Sequence, residues 1–278
     1  MRIAITGAGG QLGGALSAAL GPGHEIIPLG HDALELGSPT AVEQISATGA
    51  DLVIHPAAFT NVDGCAREPQ RAYTINALGT KYVALACRRL AAPLVYISTN
   101  EIFPGDSENF YVEYDQPRPI NAYGRSKWAG EQAVRELLNE FYIVRVAWLF
   151  GGERNFVRSV LRLAASPPEG GIRMVDDEVG SPSYSVDVAD AIARLIATEH
   201  YGTYHLVNSG FCSRFSFAET ILRLAGRADT PLTPIKLADF PRDSTPPPFT
   251  PLANLAGGAL GITLRPWEAA LEAYLGSL

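Results

Sequence analysis

Tyr123 and Lys127 are the residues whose types and spacing most clearly suggest chemistry, because they stand four positions apart. Residues at i and i+4 share one face of a helix, and the stretch that contains this pair is predicted to be helical. A lysine ammonium there would favour the phenolate of a tyrosine, whose ordinary pKa is about 10. The pair predicts a general acid or base, although a lone Tyr-x-x-x-Lys is more often an ordinary amphipathic helix with a surface lysine.

Three glycines near the beginning of the sequence predict a loop that binds a dinucleotide. They have the spacing Gly-x-x-Gly-x-x-Gly and directly follow the apolar strand predicted for residues 2–6. Glycines so placed let backbone N–H groups approach a pyrophosphate at the N-terminus of the next helix. A plain tight turn is the alternative, but the position after a strand favours the nucleotide. The candidate cofactor contacts of this loop are Gly7, Gly10, Gln11, Leu12 and Gly13.

The end of the second predicted strand, residues 24–29, bears on the identity of the cofactor. A protein that binds a free ribose 2′-hydroxyl usually carries an acidic residue there, whereas this chain has Gly30 and His31. Without that carboxylate there is room for a 2′-phosphate, so NADPH is expected at least as readily as NADH. Glu35 lies either near the adenine or in solvent. Candidate contacts at the ends of the second and third strands are His31, Glu35, Leu36, Ala57 and Ala58.

Strands and helices alternate through residue 149, which predicts an α/β protein with a Rossmann-type doubly wound parallel sheet. The predicted strands are 2–6, 24–29, 51–55, 93–98 and 145–149, and the predicted helices among them are 14–20, 39–48 and 72–90. Ligands bind at the carboxyl ends of such strands, where Thr99 follows the fourth strand. A hydroxyl group there can polarise a carbonyl, so Thr99 is a third catalytic candidate, with a simple turn residue as the alternative.

The composition favours a protein that acts on small molecules. The net charge is -7 and no run of Lys and Arg occurs, which argues against nucleic acid or an anionic membrane as the main partner. No apolar run approaches the roughly 18 residues of a membrane span, and no signal peptide precedes the first strand. Three scattered cysteines suit a reducing compartment, and neither they nor the histidines have metal-ligand spacing. We expect a cytoplasmic protein without a metal.

Taken together, these motifs resemble the extended short-chain dehydrogenase/reductase superfamily, and within it the dTDP-4-dehydrorhamnose reductases. The likeness rests on the glycine loop, Thr99, Tyr123 and Lys127. It continues along nearly the whole chain through residues 57–63, 75–77, 97–99, 123–131, 145–151, 155–157 and 175–182. The resemblance implies NADPH- or NADH-dependent reduction of the C4 ketone of a dTDP-4-keto-6-deoxy-hexose in dTDP-L-rhamnose biosynthesis.

Two alternatives remain open beside a reductase. One is another nucleotide-sugar enzyme of the superfamily, such as an epimerase or a dehydratase, which would use the same tyrosine and lysine without net consumption of its cofactor. The other is a non-catalytic regulatory subunit that retains the dinucleotide fold and binds a partner protein.

For a reductase, the residues imply distinct roles in the reaction. Tyr123 gives its proton to the alkoxide that hydride transfer creates, Thr99 stabilises the alkoxide, and Lys127 orients the nicotinamide ribose. Members of the family carry a tyrosine where this chain has Glu101, which either accepts hydrogen bonds from sugar hydroxyls or points to solvent. Trp148 is expected to form a wall of the sugar pocket, and Arg154 and Asn155 to bind the diphosphate. The candidate substrate contacts are Glu101, Trp148, Arg154 and Asn155.

The resemblance also implies two interleaved domains and leaves the oligomeric state open, with a homodimer among the options. Residues 1–150 and 183–208 would form the dinucleotide-binding domain, and residues 151–182 and 209–278 the substrate-binding domain. Within the second domain, residues 241–251 are too rich in proline for a regular element. They predict a linker or lid before the last helix.

Overall fold

A parallel sheet of six strands forms the centre of the structure, a computed structural model that describes all 278 residues. In chain order the strands are β1 (Arg2–Thr6), β2 (Glu25–Leu29), β3 (Leu52–His55), β4 (Leu94–Thr99), β5 (Phe141–Val146), β6 (Leu149–Phe150), β7 (Ile172–Val175), β8 (Val179–Gly180), β9 (Ser183–Tyr184), β10 (Gly202–His205), β11 (Cys212–Ser213) and β12 (Leu232–Ile235). The central sheet has the order β10-β5-β4-β3-β1-β2, and all of its neighbours are parallel. The order in which strands are added to the sheet reverses between β1 and β3, and sheets of this kind bind ligands at that point.

Helices cover both faces of this sheet. In chain order they are α1 (Gln11–Leu20), α2 (Thr40–Ser46), α3 (Val62–Arg67), α4 (Pro69–Tyr73), α5 (Gly79–Leu90), α6 (Ala122–Leu137), α7 (Phe156–Ala165), α8 (Ser185–Ile196), α9 (Arg214–Leu224), α10 (Leu255–Ala259) and α11 (Trp267–Leu275). On one face α1 packs against α8, and on the other α5 packs between α2 and α6. Apolar side chains from both faces of the strands enter these two layers, which explains their continuous apolar sequences. The predicted α/β fold class is confirmed.

Two predicted elements differ from the structure. The fifth strand begins at Phe141 and ends at Val146, whereas residues 145–149 were predicted. The strand cannot continue through Trp148, because this residue has a φ of 40°, in the left-handed region. The helix predicted over residues 72–90 is divided into α4, a π-helical segment (Thr74–Leu78) and α5. Hydrophobic periodicity detects helical backbone but not this local widening of the turn.

A third cluster of buried side chains lies outside the two layers that flank the sheet. It extends from Phe150 to Tyr274 and draws on α7, α9 and α11. Short strand pairs, β7 with β12 and β8 with β11, add to this region. We retain the division at residues 151–182 and 209–278 as a proposal that this separate core supports. Residues 241–251, here called the strap, contain no helix or extended strand pair.

Candidate active site

The glycine loop between β1 and α1 has the geometry that a dinucleotide requires. Gly7 has a φ of 58°, and a Cβ atom on Gly13 would lie 2.2 Å from the Gly7 carbonyl oxygen. Neither position accepts a side chain, because the loop folds tightly against the first turn of the helix. The residue before α1, Gly10, provides no side-chain cap for the helical N–H groups. These N–H groups can bind a pyrophosphate, so the loop fits the predicted cofactor.

Ala57 forms the neighbouring part of the predicted cofactor site, directly after β3. A Cβ atom on Gly7 would lie 3.0 Å from the Ala57 Cα and Cβ atoms, so the two backbones are in close contact. The Ala57 N–H donates to the Thr6 hydroxyl at 3.4 Å. Ala58 follows and is half-buried. The structure therefore brings the ends of β1 and β3 together at the switch point of the sheet.

The end of β2 offers open space beside the glycine loop. No heavy atom lies within 4 Å of a Cβ atom built on Gly30, and this glycine has no left-handed φ. His31 and Glu35 are exposed, whereas Leu36 is half-buried. On the other side of the loop, Gly152 faces Gln11, because its Cβ would lie 3.7 Å from the Gln11 Cγ atom.

Tyr123 is positioned by the way in which α6 begins. The Asn121 side chain caps the helix by accepting a hydrogen bond from the Gly124 N–H at 2.8 Å. A Cβ atom on Gly124 would lie 2.1 Å from the Glu101 carbonyl oxygen, so only glycine lets this turn pack against the chain after β4. The packing places the Tyr123 phenol near the Thr99 hydroxyl, close enough for that hydroxyl to lower the pKa of the phenol. Two of the predicted catalytic residues thus lie near each other.

Lys127 lies one helical turn further along, and its side chain is only 2% exposed. Its ammonium donates to the Ile97 carbonyl oxygen at 2.6 Å and lies 4.2 Å from the centre of the Tyr96 ring. Burial lowers the pKa of Lys127 to about 7, and the Glu131 carboxylate only partly opposes this shift. The lysine therefore changes its charge near neutral pH.

The Tyr123 phenol has a pKa above its ordinary value, which differs from the effect expected from sequence. Burial is the largest cause, the Glu101 charge adds to it, and the nearby Thr99 hydroxyl opposes it. The Lys127 ammonium does not acidify the phenol, because it is directed at the Ile97 carbonyl instead. A tyrosine with a raised pKa holds its proton at neutral pH, as a proton donor must.

The Glu101 carboxylate is directed into the cleft rather than into open solvent. The residue is half-buried, and its Oε2 atom accepts a hydrogen bond from the Asn121 amide at 2.7 Å. Burial raises the pKa of Glu101 to about 7, Asn121 lowers it, and Glu178 raises it further. Arg214 and Arg242 also act on this carboxylate. Its substrate contact remains a prediction, but the geometry is not that of a free loop charge.

Trp148 is held between Arg214 and Gly180, which both belong to the proposed substrate-binding domain. The Arg214 guanidinium lies 3.5 Å from the centre of one of its rings, and Arg214 also pairs with Glu178 at 2.9 Å. On the indole, a Cβ atom of Gly180 would lie 2.6 Å from the Cε2 atom. These contacts hold Trp148 in its left-handed backbone conformation and fix the orientation of its ring.

The two residues predicted to bind a diphosphate have different surroundings. Arg154 is exposed on the loop that precedes α7. Asn155 caps α7 by accepting from the Arg158 N–H at 3.2 Å, and its amide donates to the Tyr274 hydroxyl at 2.8 Å. Asn155 therefore supports the smaller region through its own contacts, and its part in diphosphate binding stays a prediction, as does that of Arg154.

Several residues that shape the site were not among the site residues predicted from sequence. Asn76 is buried, accepts from the Phe59 N–H at 2.7 Å and donates to the Ser126 hydroxyl at 3.0 Å. Asn121 could have been found, because asparagine directly before a helical pattern is a typical cap. The cluster of Arg214, Glu178 and Arg242 could not, because its members come from distant segments.

Comparison with known proteins decides the family. The model of the RmlD substrate binding domain matches residues 1–278. The chain belongs to the RmlD substrate-binding domain family. It is 37% identical to the dTDP-4-dehydrorhamnose reductase of Mycobacterium tuberculosis, over 99% of this chain and 92% of that relative. It is 36% identical to the spore coat polysaccharide biosynthesis protein SpsK of Bacillus subtilis, over 99% of this chain and 96% of the relative.

Solved structures agree with this assignment of an RmlD-type chain. The dTDP-4-dehydrorhamnose reductase of Bacillus anthracis, solved in complex with NADP, is 38% identical and superimposes with a TM-score of 0.95, covering 100% of this chain and 99% of that one. A UDP-glucose 4-epimerase of Thermotoga maritima has a TM-score of 0.83 at 19% identity, over 99% and 98% of the two chains, which shows a shared fold alone. Among the helices of this chain, none is long and apolar enough to cross a membrane.

Proposed function

We propose that this chain is an NADPH-dependent oxidoreductase that reduces the C4 ketone of a dTDP-4-keto-6-deoxy-hexose, in the manner of dTDP-4-dehydrorhamnose reductase. The observation that carries the proposal is the meeting of Thr99 and Tyr123 at the carboxyl edge of the sheet, one turn from the buried Lys127. This arrangement occurs in a chain whose full-length relatives include several dTDP-4-dehydrorhamnose reductases. The reaction would be a step in the synthesis of dTDP-L-rhamnose.

Bound NADPH supplies the hydride for this reaction, and the side chains of the protein manage the charge that results. Tyr123 is protonated at neutral pH and donates its proton to the C4 oxygen as that oxygen becomes an alkoxide. Thr99 lies beside it and donates a second hydrogen bond to the same oxygen. Lys127, buried under the site, holds the nicotinamide ribose in register with Tyr123.

The remaining site assignments are also proposals. The glycine loop binds the pyrophosphate, and Ala57 lies directly beside the bound cofactor. His31, Glu35 and Leu36 lie along the adenosine part of the cofactor. Trp148, fixed by Arg214, forms a wall for the sugar ring. Glu101 accepts hydrogen bonds from sugar hydroxyls in the cleft, and Arg154 and Asn155 lie at the diphosphate.

An epimerase is the nearest competing function, and it finds support in the fold alone. The UDP-glucose 4-epimerase neighbours are 19% and 20% identical to this chain, whereas the dTDP-4-dehydrorhamnose reductases of Mycobacterium tuberculosis and Burkholderia thailandensis are 37% and 32% identical over nearly its full length. An epimerase regenerates its cofactor in each cycle, so the two functions differ in net consumption of NADPH.

The direct experiment is to incubate the purified chain with dTDP-4-keto-6-deoxy sugars and NADPH and to follow the absorbance of the reduced cofactor. We expect stoichiometric oxidation of NADPH with formation of the 4-hydroxy sugar. Sugar conversion without net oxidation would replace the reductase by an epimerase. Purification with a larger catalytic chain and no turnover would favour a regulatory subunit.

The preference for NADPH has its own test at Gly30. Because a Cβ atom at this position meets no neighbour, Gly30→Asp can introduce a carboxylate without steric cost. We expect the variant to bind NADPH at least roughly tenfold more weakly, because the carboxylate repels the 2′-phosphate, while NADH binding is retained or improved. Gly23→Asp, another glycine with open space around its Cβ, is the control for added charge. Unchanged NADPH affinity in fluorescence titrations would remove Gly30 from the 2′ site.

Assembly and location complete the proposal. The oligomeric state stays open, with a homodimer among the options, and the cytoplasm is the proposed location. Sedimentation of the purified chain and fractionation of the source cells test them.

A further inference from the structure

Asn121 makes contacts that extend well beyond the cap of one helix. It is only 5% exposed, and its Oδ1 atom accepts the hydrogen bond from Gly124 N–H that begins α6. Its Nδ2 atom donates to the Glu101 Oε2 atom at 2.7 Å and to the Thr245 carbonyl oxygen at 3.2 Å. One amide group therefore joins the helix of Tyr123, the chain after β4 and the strap.

The strap is attached to the same edge of the sheet at further points. The Ser244 N–H and the Arg242 guanidinium both donate to the Asp63 carboxylate, at 3.0 and 3.3 Å. Further on, the Asn100 amide donates to the Thr250 hydroxyl at 2.7 Å. These bonds lie on both sides of Thr245 along the chain. The strap thus crosses the edge where the site lies, and Asn121 is its attachment nearest to Glu101.

The surroundings of Glu101 give the Asn121 bond a chemical consequence. The charged and titratable groups that act on its carboxylate are Glu178, Arg214 and Arg242 from the opposite wall, Tyr123 from α6 and Cys65 from α3. The Asn121 amide donates a hydrogen bond to the Glu101 carboxylate. A donor of this kind favours the charged form and fixes the direction in which the carboxylate points.

We propose that Asn121 is a positioning residue of the reductase, whose amide holds the Glu101 carboxylate and the strap in one arrangement at the mouth of the active site. It acts through Glu101 rather than on the reacting atoms, so its effect falls on sugar binding and on the pH dependence of turnover. Cofactor binding is independent of it. This inference rests on the proposed reductase function.

Asn121→Ser separates the cap from the amide bonds. Serine retains an oxygen that can cap α6, but it has no amide to reach Glu101 or Thr245. We expect the KM for the sugar to rise roughly tenfold, as for the loss of a hydrogen bond to a charged group, with NADPH affinity unchanged. The group that titrates in the kcat/KM profile should move to higher pH, because the carboxylate loses its donor. Asn121→Asp, which places a second carboxylate beside Glu101, should move it further.

The same change in a Glu101→Gln background is the decisive control. There the shift of the pH profile caused by Asn121→Ser should disappear, because the titrating group is gone. Asn61→Ser, which changes the asparagine cap of α3, is the control for cap stability, measured by urea unfolding. A pH profile that overlays the wild-type profile, or a shift that persists without Glu101, would overturn the role of Asn121.

A measurement that does not need turnover separates this inference from the proposed function. The carboxyl carbon of Glu101 can be titrated by NMR and assigned by its loss in Glu101→Gln. Its pKa should be higher in Asn121→Ser than in the wild type. If the wild type oxidises no NADPH with any keto sugar, the proposed function fails while this titration still decides the inference. An unchanged Glu101 titration would contradict the inference even in an active reductase.

Discussion

Arg145 and Lys127 are two buried cations beside the same carboxylate, Glu131, and the protein treats them differently. Arg145 donates to both oxygens of Glu131 at 3.0 and 2.9 Å and to the Glu113 carbonyl oxygen at 3.2 Å. Lys127 precedes Glu131 by one helical turn but donates to a carbonyl oxygen instead. The scaffold cation is paired on two sides, whereas the cation of the site is left without a bound carboxylate and titrates near pH 7.

The chemistry of the two side chains explains this division. A guanidinium is planar and stays charged, so its fork can satisfy a carboxylate in a fixed geometry. An ammonium is a compact charge whose pKa responds to burial, which makes it suited to a site that must exchange or reorient charge. Pairing Glu131 with Arg145 therefore stabilises the scaffold and leaves Lys127 available. Two predictions test this contrast and a third tests the Glu101 carboxylate of the site, from the largest expected effect to the smallest.

Arg145→Met should lower the free energy of unfolding by about 3–5 kcal/mol, because it leaves the Glu131 carboxylate buried without its partner. Arg135→Met is the matched control, since this half-exposed arginine lies 3.9 Å from the same carboxylate. The control should cost less than about 1 kcal/mol. Urea unfolding of both variants measures the difference. Equal losses would mean that Arg145 is not the paired cation of the scaffold.

Lys127→Met should have the opposite pattern at pH 7. Turnover should fall by at least roughly a hundredfold, while the free energy of unfolding equals or exceeds the wild-type value, because a costly buried charge is removed. The pKa of Lys127 is about 7 in the folded protein and 10.5 in the unfolded chain. Between these values the unfolded chain holds a proton that the folded protein has lost, so the wild-type free energy of unfolding rises with pH and the stability advantage of methionine should shrink. Lys81→Met, at an exposed position, is the control. A loss of stability as large as that of Arg145→Met would contradict the claim that Lys127 is not a paired cation of the scaffold.

Glu101→Gln should change how stability depends on pH. The pKa of Glu101 rises on folding from 4.5 to about 7, so the folded protein binds more protons between these values. Wild-type stability should therefore contain a contribution that is lost as the pH rises from 4.5 to 7, about 1–2 kcal/mol after allowance for partial exposure. The variant should lack this fall, and Glu108→Gln, an exposed loop control, should keep it. Parallel wild-type and Glu101→Gln stability curves by urea unfolding would contradict the assignment.

The fold was largely predictable from sequence, because parallel strands buried on both faces have continuous apolar runs and the glycine loop marks the first crossover. The strands from Arg2 to Thr99 lie within a residue or two of their predicted bounds. The end of β5 was not predictable, because it depends on the left-handed Trp148, which contacts Arg214 and Gly180 in distant segments. Periodicity carries no record of such contacts.

The site was predictable only in part, for a similar reason. Spacing predicted a role for Tyr123 and Lys127, and the sheet edge predicted one for Thr99. Spacing also suggested that the Lys127 ammonium acidifies the Tyr123 phenol. In the structure, burial is the largest cause of the pKa shift of both groups, and the ammonium donates to the Ile97 carbonyl oxygen. Burial is a property of the packed chain, so no local pattern could have supplied it.

The central claim is that Tyr123 is the proton donor of a sugar reductase, and Tyr123→Phe tests it most directly. The substitution keeps the ring and removes the hydroxyl. Wild type and variant are compared in NADPH oxidation with a dTDP-4-keto-6-deoxy sugar, with NADPH affinity measured in parallel by fluorescence titration. We predict a loss of turnover of about 10²–10⁴-fold with unchanged NADPH affinity. A variant that retains more than about a tenth of wild-type turnover would contradict the account.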